Sequence, residues 1–172
     1  MKYKVFDEKT DVLSHEFTYN KIETDFLKNH MKKNKSISID DIRRIALWKL
    51  DRVLEISEET LQNLKRIAVH KDITIDAQIV LGTIQLLTSS KGVGFPMASA
   101  ILKFLRPDIF PIIDIRAYRA IYGKKITYSQ YSIDKYVEYT KKLQKISADL
   151  GIELNEIDEQ LYCFDKKYNG KI

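Results

Sequence analysis

Cysteine is nearly absent from this chain: Cys163 stands alone. One thiol excludes an intrachain disulfide, and it cannot build a cysteine-based zinc site or an iron–sulfur cluster. Turn formers are scarce as well, with 3 prolines and 6 glycines among 172 residues, which favours long helices over many short strands. Nowhere do about 18 uncharged apolar residues run together, so no membrane span and no membrane partner are expected. The first residues, "MKYKVFDEKTDVLSH", contain no apolar run of leader type. The expected setting is a reduced, cytoplasmic one. His15, His30 and His70 are scattered without ligand spacing, so no metal site is expected.

Hydrophobic residues make up 44% and charged residues 31%, an ordinary balance for a globular chain. The length suits one domain over residues 1–172. A net charge of +5 permits a phosphate-bearing partner without requiring one, because charge excess governs association and not architecture.

Helical periodicity organises most of the chain. Phe17, Ile22, Phe26, Leu27 and Met31 recur near helical spacing and stop at "KKNK". Ser38 precedes "IDDIRRIALWKLDRVLEI", with Asp40 and Asp41 where the helix dipole favours acids. In that segment Ile42, Ile45 and Ala46 should face one way and Arg43, Arg44 and Arg52 outward. Ser57 caps the next helix, and Thr74 is expected to open a central one, "IDAQIVLGTIQLLTSS", buried on several sides. Ser132 and Asn155 should open the last two, with Gly151 as the stop between them. About eight helices and almost no sheet define an all-α class. The first dozen residues read as a short strand or an ordered tail.

The stretch "SSKGVGFPMASAILKFLRPDIFPIIDIRAYRAIYG", from Ser89 to Gly123, holds all three prolines and three of the six glycines. Gly92-Val93-Gly94 allows a tight turn with uncovered backbone amides, and Pro96 fits the first helical turn, where no amide partner exists. Free amides at a helix N-terminus can seat a phosphate, although many helical hairpins use such a turn for packing alone. Asp114, ahead of "IRAYRA", is explained structurally as a helix cap. The same acid could also face a substrate at a cleft edge.

From Lys91 to Gly123, about a fifth of the chain, the sequence resembles the signature region of the helix-hairpin-helix DNA glycosylase superfamily. It is most similar to the adenine-glycosylase branch in Gly92 to Gly94, Ala100 to Leu102 and Phe110 to Asp114. The resemblance implies an all-α fold of that type, with the hairpin and acid at about residues 76–123. It also implies DNA as partner, a role in DNA repair and a hydrolase that cuts the N-glycosidic bond. Asp114 lies where the family keeps its catalytic aspartate, and Gly92, Val93 and Gly94 lie where its hairpin amides hold a phosphate. No cofactor is expected beyond the monovalent cation that the family's hairpin often binds through carbonyls. Where bifunctional members carry a Schiff-base lysine, this chain has Pro96, so strand cleavage by that route is not expected. The iron–sulfur cysteines of several branches are missing too.

Lys91, Arg116 and Arg119 are further candidates for DNA contact, with Lys103, Lys124 and Lys125 bracketing the region. Trp48, Lys49 and Tyr118 are candidates for a base pocket, against the plainer reading of Trp48 as a core anchor. Tyr122, Tyr128 and Tyr131 crowd the same region and could wall a pocket or pack between helices. The leading expectation is a monofunctional DNA N-glycosylase. The alternatives are a DNA-binding module without excision and a helical domain that binds another protein.

Overall fold

Ser38, Ser57, Asp114 and Ser132 each stand one residue before a helix, and each side chain accepts a hydrogen bond from the amide three residues on. Those bonds satisfy donors that the first helical turn leaves without an intrahelical acceptor. The computed structural model describes residues 4, 6, 7, 9–11, 14, 16–33 and 37–172. Much of the expected N-terminal strand or tail lies outside the described residues. Among the described residues the chain is all-helical: α1 Lys21–Lys33, α2 Ile39–Lys49, α3 Glu58–Val69, α4 Gln78–Ser89, α5 Phe95–Leu105, α6 Ile115–Tyr122, α7 Ile133–Leu150 and α8 Leu154–Tyr168, with a 3-10 turn at Tyr128–Gln130. The chain, read from its length as one domain, divides into two compact units, residues 1–53 and 54–172.

In the first unit α1 starts at Lys21, later than the apolar spacing from Phe17 suggests. Asn20 adopts a left-handed φ of 39°, and the Thr24 hydroxyl donates to the Tyr19 carbonyl at 2.8 Å, so a turn occupies that position. Helix α2 stops at Lys49 instead of running on to Ile56, because Asp51 also turns left-handed, at φ 54°. No residue of α2 is buried, so the expected inward stripe of Ile42, Ile45 and Ala46 is exposed. Arg44 is exposed, as expected, and forms a two-pronged ion pair with the buried Glu23 of α1.

In the second unit α3 packs on α4, α4 on α5 and α7, α6 on α8 and α7 on α8. Ile67, Val80, Leu87, Leu102, Phe110 and Ile113 are fully buried at its centre, each contributing about 1.5–3 kcal/mol by leaving water. Helix α4 begins at Gln78, after the expected start, since the Thr74 hydroxyl bonds the Asp76 carboxylate at 2.7 Å instead of capping a turn. Its buried residues Val80, Thr83, Ile84 and Leu87 form one face, while Gln78, Gly82 and Gln85 are exposed. Ile79, Leu81, Leu86 and Thr88 are half-buried on its flanks, so a single stripe meets solvent and the helix is covered on several sides by α3, α5 and α7. Helix α8 opens at Leu154 with Glu153 in the capping position, two residues ahead of the expected cap Asn155. Among the described residues no helix is long and apolar enough to cross a membrane.

Candidate functional site

The turn between α4 and α5 is closed by its own backbone. The Ser90 amide donates to the Leu87 carbonyl at 3.0 Å and the Val93 amide to the Ser90 carbonyl at 3.2 Å. Val93 is buried and ties the turn to the core. Only Gly92 is left-handed, at φ 79°; Gly94, the residue before α5, has φ −85°, open to any side chain. A Cβ built on Gly94 would lie 3.5 Å from the Tyr128 ring, an ordinary contact. Gly92→Ala is therefore expected to cost about 1–2 kcal/mol of stability, whereas Gly94→Ala should melt like the parent protein; thermal unfolding of the two variants checks this. Pro96 lies in the first turn of α5. The early amides of that helix have no acceptor within it.

Lys91 beside this turn is committed to Glu55, with Nζ to Oε1 at 2.7 Å and an antiparallel backbone bridge between the same two residues. The run from Pro111 to Ile113 then leads to Asp114, and side chains from three helices hold it. Tyr136 and Tyr139 of α7 donate to the carbonyls of Pro111 at 2.8 Å and Ile112 at 3.1 Å. From α8, Asp158 accepts the Ile112 amide at 2.8 Å. From α5, the Ser99 hydroxyl accepts the Ile113 amide at 3.2 Å. An extended segment with no sheet to pair with has its polar groups satisfied by side chains, as burial requires.

Asp114 Oδ1 accepts the Ala117 amide at 2.7 Å, so it caps α6. It also lines an open hollow of about 350 Å³ together with Pro96, Ile115, Arg116, Tyr128, Tyr131, Tyr162 and Ile172. The two readings of Asp114 are thus compatible: one oxygen caps the helix while the residue borders a cavity. Burial raises the Asp114 pKa; its backbone hydrogen bonds oppose this, and the Asp158 charge adds to it. Tyr131, stacked on Phe95 at 5.9 Å, is pushed up to about 12 by burial and by the Asp114 charge. A smaller hollow of about 220 Å³ also reaches Asp114 and is bordered by Asp158 and Glu159. The larger hollow at α7 and α8, about 400 Å³ and including Ile146, Leu150 and Phe164, has no carboxylate in its wall.

Arg116 and Arg119 turn toward α8. The fully buried Asp165 receives Arg116 at 3.2 Å and Arg119 at 2.7 and 2.8 Å. Both guanidiniums also donate to the Gly170 carbonyl. These arginines hold Asp165 well below the usual carboxylate range, with the Arg119 hydrogen bond as the largest cause. Tyr118 is buried against the rings of Tyr122 and Tyr139, a core position. In the 1–53 unit, Trp48 donates to the Thr24 hydroxyl at 2.9 Å and meets Tyr19 edge-on, while Lys49 is exposed in the last turn of α2. Of the candidate site residues in the 54–172 unit, Asp114 and Arg116 border the same hollow.

Sequence reading missed Asp158 and gave Lys103 no partner. Lys103 is 4% exposed and donates to Asp158 at 2.7 and 3.0 Å and to Glu159 at 2.8 Å. A signal was present: Lys103 is the one charge within the apolar helix "FPMASAILKFL", and a lysine in such a place requires a buried acid. No family model matches this chain, and neither a curated protein nor a solved structure matches it.

Proposed function

We propose that this protein binds duplex DNA through the Gly92–Gly94 turn and removes an altered or mispaired base as a monofunctional N-glycosylase, with Asp114 as its acid. The observation that carries this reading is a shared wall. Asp114 and Pro96, the latter in the first turn of the hairpin helix, border one open hollow lined with tyrosines. A phosphate at the amides of that helix would place a nucleotide beside the acid, and the hollow falls within the size range of small-molecule pockets, about 300–1,000 Å³. The resemblance of Lys91 to Gly123 to the helix-hairpin-helix DNA glycosylases supports the same reading.

In the reaction, the bond from the sugar C1′ to the base nitrogen breaks and the base leaves with the electron pair. The Asp114 carboxylate faces the positive charge that develops on the sugar. Water then adds at C1′ and gives up a proton, which Asp114 accepts more readily than an exposed aspartate because burial raises its pKa. With Pro96 in place of an amine, no Schiff base forms and the strand stays whole until the abasic site is treated with alkali.

The test incubates the full chain with duplexes that each carry one altered or mispaired base. Alkali-labile sites that appear only with the protein support the reading. No such site across the panel, together with salt-dependent duplex binding, would return the reading of a binding module without excision. No duplex binding would remove both.

A further inference from the structure

We infer that Tyr128 is the plate on which an extrahelical base stacks at the mouth of the Asp114 hollow. This rests on the reading of the hairpin as a DNA-binding turn and adds to it the residue that receives the base. Tyr128 is 82% exposed. Among the described residues it stacks on no other ring, and its hydroxyl has no hydrogen-bond partner. Its neighbours are anchored. Ile126 is 1% exposed, and Tyr131 stacks on Phe95. The 3-10 turn that carries Tyr128 is closed by the Thr127 amide on Gln130 Oε1 at 2.9 Å and by the Gln130 amide on the Thr127 carbonyl at 3.0 Å. The ring is therefore held out from a fixed turn and not from a long tether.

Its position joins the two halves of the site. The Tyr128 ring lies 3.5 Å from the point where a Gly94 Cβ would stand, and the same residue borders the hollow that contains Asp114. A strand whose phosphate sits at the hairpin therefore passes Tyr128 before any base can reach the acid. The other two tyrosines of the wall already have partners: Tyr131 lies against Phe95 and Tyr162 beneath the Arg116 guanidinium. An exposed aromatic face suits a nucleobase of any sequence, because every base presents a π-face. Tyr128 is accordingly expected to favour unstacked bases over paired ones without reading their identity.

The experiment measures fluorescence anisotropy of the full chain with two labelled duplexes, one fully paired and one with a single bulged thymine. The parent protein should prefer the bulged duplex. Tyr128→Ala should lose about tenfold of that preference while keeping its affinity for the paired duplex, and Tyr128→Phe should retain the preference. Both variants should melt like the parent, because the ring is exposed. If the parent binds but shows no preference for the bulge, or if Tyr128→Ala keeps the full preference, the stacking role is overturned and the hairpin reading stands. Equal loss on both duplexes would make Tyr128 a backbone contact and would also overturn it. No binding by the parent to either duplex overturns the DNA reading, and the stacking role with it.

Discussion

Asp158→Ala is expected to remove about 3–5 kcal/mol of stability, a large share of the about 5–15 kcal/mol that holds a folded protein together. Lys103 would lose its acceptors at 2.7 and 3.0 Å and keep only the one on Glu159, whose side chain is 67% exposed. The Ile112 amide would lose its acceptor in the same step. Breaking a buried pair from one side is costly because it strands the other charge, whereas removing both partners together is far milder. Lys103→Met combined with Asp158→Asn should therefore lose less than the sum of the two single changes, a coupling that urea titration of all four proteins would measure. Burial works against the Lys103 charge, yet its hydrogen bonds to Asp158 and Glu159 prevail and raise its pKa. The lysine's contribution is thus present throughout the neutral range and is lost on the alkaline side as pH rises through the raised lysine value. An Asp158→Ala protein that melts with the parent would mean that this pair is not formed.

On the proposed glycosylase reading, Asp114→Asn is expected to lower excision by about a hundredfold or more while leaving the fold intact. Asparagine caps helices as well as aspartate does, so the bond from the Ala117 amide at 2.7 Å keeps its acceptor. The change removes the charge and little else. Because burial raises the Asp114 pKa in the folded state, the protonated form favours folding. Stability contributed by this group falls as pH rises from the unfolded to the folded pKa. At neutral pH the Asp114→Asn protein should consequently melt at or above the parent temperature. The pH profile supplies a second readout: excision should rise through a pKa above the usual carboxylate range, as Asp114 ionises. Unchanged excision by Asp114→Asn, with the protein folded, would remove Asp114 from the chemistry.

Four of the caps were legible in the sequence because a cap is a local event. Ser38, Ser57, Asp114 and Ser132 need only the amide three residues on, and Gly151 needs only its own left-handed backbone. The end of α2 was not legible, since nothing in the apolar spacing through Val53 and Leu54 announces that Asp51 turns left-handed. The start of α4 failed for a related reason: Thr74 had a second acceptor, Asp76, two residues away. For the site, Asp114 and the hairpin could be read from one continuous stretch, but the wall could not. Tyr162 and Ile172 reach the hollow from far along the chain. The sequence offers the two arginines as candidate phosphate contacts, whereas their ion pairs go to Asp165, more than forty residues away on α8. Spacing within a helix says which side chains share a face, and it does not say which distant acid meets that face.

The segment ahead of Asp114 has a consequence for how the protein comes apart. Its carbonyls and amides are held by Ser99, Tyr136, Tyr139 and Asp158, which belong to helices from well-separated parts of the sequence. No fraying of a single helix end can release it, so local opening there should be rare and the amide protons of Ile112 and Ile113 should exchange with solvent only when the unit unfolds as a whole. Hydrogen exchange followed by mass spectrometry would find these two among the slowest in the chain. Asp114 would then be either fully in place or lost with the entire unit, with no partly opened form that keeps the acid at the hollow.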